Sequence, residues 1–234
     1  MSPIMFVNNA LSGMDAYTAA LLHCNGTDGS TVITDESGKT WTANGNAQID
    51  TAQSKFGGAS VLFDGTGDSI SSGDADDWQL DGGSDANKWT IDFWVRFDGD
   101  PAANQGLITQ YQNNDNYWSF GLASGNAPVF VIRSAASNTV QIVLSWDPST
   151  ATWYHVAIVK DGTTGYTIYV DGTAIAAATA DTDPMPNYAG SLYVGKRWTS
   201  AGVEEYFKGW LDELRISKGV ARWTGNFTPP TGEY

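Results

Sequence analysis

Apolar and polar residues alternate with a period of two through much of this chain, in short runs punctuated by Gly, Asp and Asn. The clearest run is Lys88 to Phe97, where Trp89, Ile91, Phe93, Val95 and Phe97 fall on one face and Thr90, Asp92, Trp94 and Arg96 on the other. The first set predicts a core-facing row. Trp94, on the polar side, is either covered by a loop or free to stack on a ligand. Further strands are predicted at Thr18 to His23, Ala47 to Asp50, Ser60 to Phe63, Asp68 to Ser71, Gly106 to Tyr111, Tyr117 to Ala123 and Pro128 to Arg133. They continue at Thr139 to Trp146, Thr152 to Lys160, Tyr166 to Val170, Ala174 to Thr179, Ser191 to Gly195 and Glu205 to Ser217. Asp-Gly pairs at 28–29, 64–65, 98–99, 161–162 and 171–172 mark turns, and the last predicts a hairpin from Tyr166–Val170 into Ala174.

No capped amphipathic run reaches helix length, so the helical expectation is single turns near Asp74 to Trp78 and Gly219 to Arg222. Many short strands without crossover helices predict an all-β antiparallel sandwich. Residues 1–16 alternate weakly and read as an N-terminal arm or linker. Ile4, Met5 and Phe6 make that arm apolar enough to dock on a neighbour, including a second copy of the chain. Residues 17–234 read as one domain.

In Gly209 to Trp223 the period-two reading puts Trp210, Asp212, Leu214 and Ile216 on one side, with a carboxylate in an apolar row. Such a group must be hydrogen-bonded, ion-paired, metal-bound, or lifted out of register by a bulge. Arg215 is the local ion-pair candidate and Ca²⁺ the alternative.

Composition narrows the classes. Ten Trp, ten Tyr and nine Phe supply a core, and the net charge of −14 comes mostly from Asp, with Glu only at 36, 204, 205, 213 and 233. That surface repels phosphate backbones, which argues against a nucleic-acid partner. Cys24 is the only cysteine, so no intrachain disulfide forms, and it reads as a small core residue. His23 is its neighbour, but adjacent strand residues face opposite ways, against a nucleophile-base pair. The N-terminal residues lack a basic segment followed by an apolar one, and no run is long enough to span a bilayer, so neither an export signal nor membrane insertion is expected.

Three stretches together resemble a known family: Trp89-Thr-Ile-Asp-Phe-Trp-Val-Arg-Phe, Trp153-Tyr-His-Val-Ala-Ile-Val-Lys-Asp-Gly running on to Tyr169-Val-Asp-Gly, and Gly209-Trp-Leu-Asp-Glu-Leu-Arg-Ile-Ser. They are similar to laminin G-like domains of the concanavalin A-like lectin/glucanase superfamily, of the kind carried by bacteriophage virion and bacterial surface proteins. Leu21 to Thr31 and Phe56 to Asp68 fit the same pattern. The resemblance implies a jelly roll of two bent antiparallel sheets. It also implies a structural calcium tying the beginning of the domain to the final strand, with Asp212 as side-chain ligand and contributors near Asn25 and Asp64-Gly65. No EF-hand loop is present.

Catalysis is not expected. Glycanases of this fold that use two carboxylates carry a Glu-x-Asp-x-x-Glu type strand, and no Glu in this chain makes that spacing. His155, mid-strand, reads as a hydrogen-bonded structural residue, and no Gly-x-Ser-x-Gly elbow occurs. Lys196-Arg197-Trp198 reads as a loop after a strand, either solvated or clamping a carboxylate or sulfate.

Two functions follow. The first is a non-catalytic structural or interaction protein, a phage virion component such as a capsid decoration or tail-associated protein, with a virion or cell-surface protein as partner. The second is a glycan-binding adhesion module, extracellular or on a cell surface, in which Trp94, Tyr111, Tyr117, Trp118 and Trp198 are the candidates for stacking on sugar rings. A hydrolase or lyase on the same fold is the weakest reading.

Overall fold

The computed structural model describes residues 13–82, 87–98, 104–175 and 183–234. Residues 1–12 of the expected arm, Gly99 of the 98–99 turn, and 176–179 of the strand expected at Ala174 to Thr179 lie outside the described residues.

The first sheet is built from β1 (Thr18–Leu22), β3 (Gln48–Asp50), β4 (Ser60–Asp64), β6 (Lys88–Phe97), β11 (Trp153–Asp161), β12 (Tyr166–Val170), β13 (Thr173–Ala174) and β17 (Lys208–Lys218). Its order is β13-β12-β11-β6-β17-β4-β3, with β1 also paired to β17. The second sheet runs β10 (Ser137–Val143), β9 (Ala127–Ser134), β8 (Asn116–Ala123), β7 (Gln105–Asn113), β14 (Leu192–Val194), β5 (Ser69–Ser72), β2 (Thr42–Asn44). A separate hairpin joins β15 (Lys196–Trp198) to β16 (Glu204–Tyr206). All pairings are antiparallel, and the only helical turns among the described residues are at Asp76–Trp78 and Gly162–Thr164. The 219–222 segment is not helical.

The two sheets close face to face. Alternation puts Trp89, Ile91, Phe93, Val95 and Phe97 of β6 in the core, where Trp89 meets Phe130 of β9 at 6.0 Å and Phe93 meets Phe120 of β8 at 6.4 Å between ring centroids. The hairpin at 171–172 forms as its Asp-Gly pair dictates, with φ of 47° at Asp171 and 75° at Gly172 and Val170 opposite Thr173.

Strand β17 departs from simple alternation. Glu213 takes a left-handed φ of 50°, and the register against β6 slips between Asp212 and Arg215. This bulge reverses the phase: Leu211, Leu214 and Ile216 face the core, whereas Trp210 and Asp212 lie on the outer face. Asp212 therefore does not share a row with Leu214 and Ile216. The bulge also lets β17 change neighbours, pairing with β4 through Leu211 and with β1 from Leu214 onward.

On the outer face of the first sheet, side chains form three cross-strand rows: Trp153, Arg96 and Trp210; His155, Trp94 and Asp212; Ala157, Asp92 and Arg215. The C-terminal segment covers part of this face. Trp223 stacks on Phe227 at 4.0 Å, and the His155 ring lies perpendicular to both at 5.5 and 5.6 Å. Gly172 permits that cover, because a Cβ there would lie 1.9 Å from the Phe227 carbonyl oxygen.

Candidate functional site

The Lys196–Trp198 and Glu204–Tyr206 hairpin is held by opposite charges in register. Arg197 pairs with Glu205 across the two strands, its Nε donating to Oε2 at 2.6 Å, and Lys196 Nζ lies 3.1 Å from Glu204. Thr199 closes the turn, accepting at its hydroxyl from the Val203 amide at 3.2 Å. The hairpin lies directly on the outer face of the second sheet. Gly106 and Gly121, paired opposite each other on β7 and β8, leave room for it. A Cβ on Gly106 would fall 2.2 Å from the Glu205 carbonyl oxygen, and one on Gly121 would fall 3.1 Å from the Arg197 side chain.

So placed, the hairpin brings Trp198 onto the aromatic residues that β7, β8 and β14 point outward. Tyr111 and Trp198 stack at 4.1 Å with an interplanar angle of 13°, Tyr193 meets Trp198 edge-on at 5.0 Å, and Tyr111 lies 6.1 Å from Tyr117. The Lys196 ammonium sits 4.2 Å from the Trp198 ring centroid. Beside this wall runs a groove of about 180 Å³ lined by Tyr117, Ser119, Val129, Val131, Asn138, Gln141, Arg197, Trp198, Thr199 and Ser200. Asn138 donates to Gln141 at 2.9 Å and accepts from Arg133 at 2.9 Å, which orients both amides. Burial raises the Tyr117 phenol. Tyr206 is pushed up to about 12 by burial and by its hydrogen bond to Glu204. Both phenols are neutral near pH 7, and the Tyr206 hydroxyl donates to Glu204.

Three of the five aromatic candidates therefore meet at one place: Tyr111, Tyr117 and Trp198. Trp118 does not. It is 1% exposed and packs in the core with its indole Nε1 donating to Gln110 at 3.3 Å, because neighbouring strand residues face opposite ways and Tyr117 takes the outward position. Trp94 lies on the other sheet, 5% exposed, beneath Lys55 and Phe56. Lys196 and Arg197 stand in strand β15, each ion-paired to a glutamate of β16.

The expected calcium ligands are arranged otherwise than a cation requires. Asp212 Oδ2 accepts from the peptide N–H groups of Lys55 at 2.7 Å and Phe56 at 3.1 Å, and Oδ1 accepts from that of Glu213 at 2.9 Å. These donors present positive dipole ends where calcium needs free oxygen lone pairs. Asp64 pairs opposite Lys208, about 13 Å along the strand from the Asp212 position, and accepts from Thr66 N. Asn25 lies over Gly57 and donates to Glu233 at 2.6 Å. Among the described residues no three His, Cys, Asp or Glu side chains form a metal-holding group. Asp212, Asp64 and Asn25 thus do not fit a calcium cage, and the tie to the final strand at Asp212 is made by peptide hydrogen bonds. Burial, with the Glu213 charge, pushes Asp212 up to about 7 against those bonds.

A second polar cluster escaped sequence reasoning. Asp92 is fully buried on the outer face of the first sheet, bonded by Arg215, and Tyr234 also donates to it. His155 Nε2 lies 3.1 Å from Tyr234 Oη. The sequence signal was Asp92 mid-strand between Ile91 and Phe93; nothing local points to Tyr234, which is 142 residues away. Cys24 is buried, its thiol driven well above the ordinary value, and His23 turns instead to Glu213 at 3.0 Å.

The fold is shared with sugar-binding and receptor-binding domains. Domain 4 of the extracellular arabinanase AbnA from Geobacillus stearothermophilus, solved with arabinotriose, superposes with a TM-score of 0.62 at 20% identity over 89% of this chain and 95% of that domain. The binding domain of Paraclostridial Mosquitocidal Protein 1 gives 0.62 at 17% identity, and the receptor binding domain of a botulinum neurotoxin C/D mosaic gives 0.63 at 14%. Each covers 88% of this chain, which spans only 49% of either toxin domain. No curated protein sequence matches the chain. A model of the concanavalin A-like lectin/glucanases superfamily, laminin G type, matches residues 64–223, well over half of the sequence, and the chain belongs to that family.

Proposed function

We propose that this protein is a non-catalytic glycan-binding module whose site is the groove under the Lys196–Tyr206 hairpin. The observation that carries the reading is the stacked Tyr111–Trp198 wall standing beside a row of hydroxyl and amide side chains. Tyr117 and Trp198, which line the groove, offer aromatic surface to the C–H groups of a sugar ring, while Ser119, Asn138 and Gln141 can bond its hydroxyls. At about 180 Å³ the groove is smaller than the roughly 300–1,000 Å³ common for small-molecule sites, which suits a single ring with the rest of an oligomer lying on the surface.

None of the lining residues is a carboxylate, whereas glycoside hydrolysis of the usual kind needs two. That supports binding without turnover. The arabinotriose-bound neighbour, and a botulinum neurotoxin type C structure whose cell entry depends on two ganglioside molecules (TM-score 0.59, 17% identity), share the fold alone with this chain, and they suggest arabino-oligosaccharides and ganglioside glycans as first probes. Carriage on a virion, or on a cell surface, leaves the chemistry of the groove the same.

The test is a glycan array followed by calorimetry with the best ligand, on the native chain and on Trp198→Ala and Gln141→Ala. Each variant should bind at least about tenfold more weakly with an unchanged far-UV spectrum, since a stacked ring or a bidentate amide contributes at least about 1.4 kcal/mol. An array with no bound glycan would overturn the reading.

A further inference from the structure

The outer face of the other sheet carries a larger groove, of about 520 Å³, lined by Lys55, Phe56, Trp94, Trp153, Asp171 and the Thr228–Thr231 segment with its two prolines. We propose that it is a second, independent binding site for an anionic saccharide, a sugar ring bearing a carboxylate or a sulfate.

The chain has 26 acidic and 12 basic residues, and eight of the twelve cations are paired with an acid. Among the described residues only Lys55, Arg96, Arg133 and Lys218 stand outside an ion pair. Two of these four belong to this one face. The Lys55 ammonium rests 3.8 Å from the Trp94 ring centroid and 5.5 Å from that of Phe56, and the Arg96 guanidinium lies 5.6 Å from Trp210. In a protein with a twofold excess of carboxylates, two cations held over aromatic rings keep a positive charge that no carboxylate neutralises.

Trp94 is 5% exposed and its indole Nε1 has no hydrogen-bond partner, nor does Arg96 Nε, two residues along the same face of β6. Buried polar atoms without partners are uncommon and call for an explanation. Lys55 and Trp94, which both line the groove, are donors, which suits the oxygens of an anion, and the Arg96 charge lies on the same face. The Lys55 side chain covers the Trp94 ring, so its movement toward an anion is the step that would uncover the indole. The root of Lys55 stays fixed, because its peptide N–H is bound by Asp212 at 2.7 Å.

Trp153 and the prolines at 229 and 230 give an apolar platform for a ring, and Asp171 stands at the rim with Oδ1 accepting from the His155 amide at 2.9 Å. That carboxylate can accept from a sugar hydroxyl and repels a densely charged polymer such as nucleic acid. An inorganic anion would use Lys55 and leave the aromatic walls empty.

Calorimetry on the full chain with trigalacturonate, a sulfated κ-carrageenan tetrasaccharide and neutral maltotetraose tests the proposal. At least one acidic probe should bind, and the better of the two identifies the anionic group. Its affinity should fall at least tenfold in Lys55→Gln and in Trp153→Ala, fall with added salt, and stay unchanged in Trp198→Ala, which separates this site from the groove on the second sheet. Binding of neither acidic probe, equal binding of maltotetraose, or equal loss in Trp198→Ala would overturn it. Lys55→Gln alters a partly exposed side chain, so its melting temperature should match that of the native chain and any loss reports on the site.

Discussion

Arg215 grips Asp92 with two parallel hydrogen bonds, Nε to Oδ1 at 3.2 Å and Nη2 to Oδ2 at 3.0 Å, at a place where the carboxylate has no solvent exposure. The two residues face each other across β17 and β6, just beyond the Glu213 bulge that gives Arg215 its outward position. Burial alone would raise Asp92, but the Arg215 charge and His155 hold it below the ordinary carboxylate value. Removing one partner leaves the other charge buried. Asp92→Ala should cost about 3–5 kcal/mol, while the double change Asp92→Leu with Arg215→Met recovers most of that loss. Urea melts of the three proteins check it, and a loss under about 1 kcal/mol for Asp92→Ala would show the pair to be dispensable.

Two groups around the same bulge set the pH response. The Glu213 hydrogen bond raises His23 above its ordinary 6.5 in spite of partial burial, so its contribution is complete below that value and is lost as pH rises through the raised one. Asp212, at about 7 in the folded chain against 3.8 ordinarily, binds a proton between those values that the unfolded chain has released. Stability therefore falls as pH rises over that range, and the two signs agree. Unfolding free energy should be larger at about pH 5.5 than at pH 8, by on the order of 1–2 kcal/mol. The combined variant His23→Gln, Asp212→Asn should flatten the profile. A native protein more stable at pH 8 would contradict this.

Asp212 acts as a staple for the loop at 55–56. Asp212→Ala leaves the peptide N–H groups of Lys55, Phe56 and Glu213 without their acceptor, at about 1–3 kcal/mol for each that stays buried. Because three peptide donors already hold the carboxylate, EDTA should leave the melting temperature of the native chain unchanged. A drop with EDTA that Asp212→Ala abolishes would establish a calcium tie in place of the staple.

Trp118 and Trp198 should respond in opposite ways. Trp118→Ala empties a core position and should cost about 3–5 kcal/mol. Trp198→Ala, at a partly exposed hairpin residue, should cost only about 1–2 kcal/mol, from its lost ring contacts. Chemical denaturation separates the two, and equal losses would mean that Trp198 serves packing and not a ligand.

Where local alternation decides the structure, the sequence was legible. Strand β6 and its core row, the 166–174 hairpin and the two-sheet architecture all rest on period-two patterning and an Asp-Gly turn. The reading failed where the backbone leaves that period. Glu213 is an L-residue in a left-handed conformation, so the phase of β17 could not be seen to reverse. Phe207, buried between β16 and β17, hid a break inside what looked like one strand from Glu205 to Ser217. The site hairpin went unseen with it, because β15 has only three residues and its partner was assigned to β17. Tyr111, Tyr117 and Trp198 could be picked out as aromatics, but their convergence depends on that hairpin. Asp92 and Tyr234 meet only in three dimensions.

The central claim is that the groove on the second sheet binds a sugar, and chemical-shift mapping of the labelled chain with a neutral oligosaccharide chosen from the array tests it most directly. The account predicts saturable shifts at the Trp198 indole, the Asn138 and Gln141 side-chain amides and the Ser119 backbone, with Trp94 and Trp153 still. Shifts confined to the Trp94 face, or no saturable shifts at all, would contradict it.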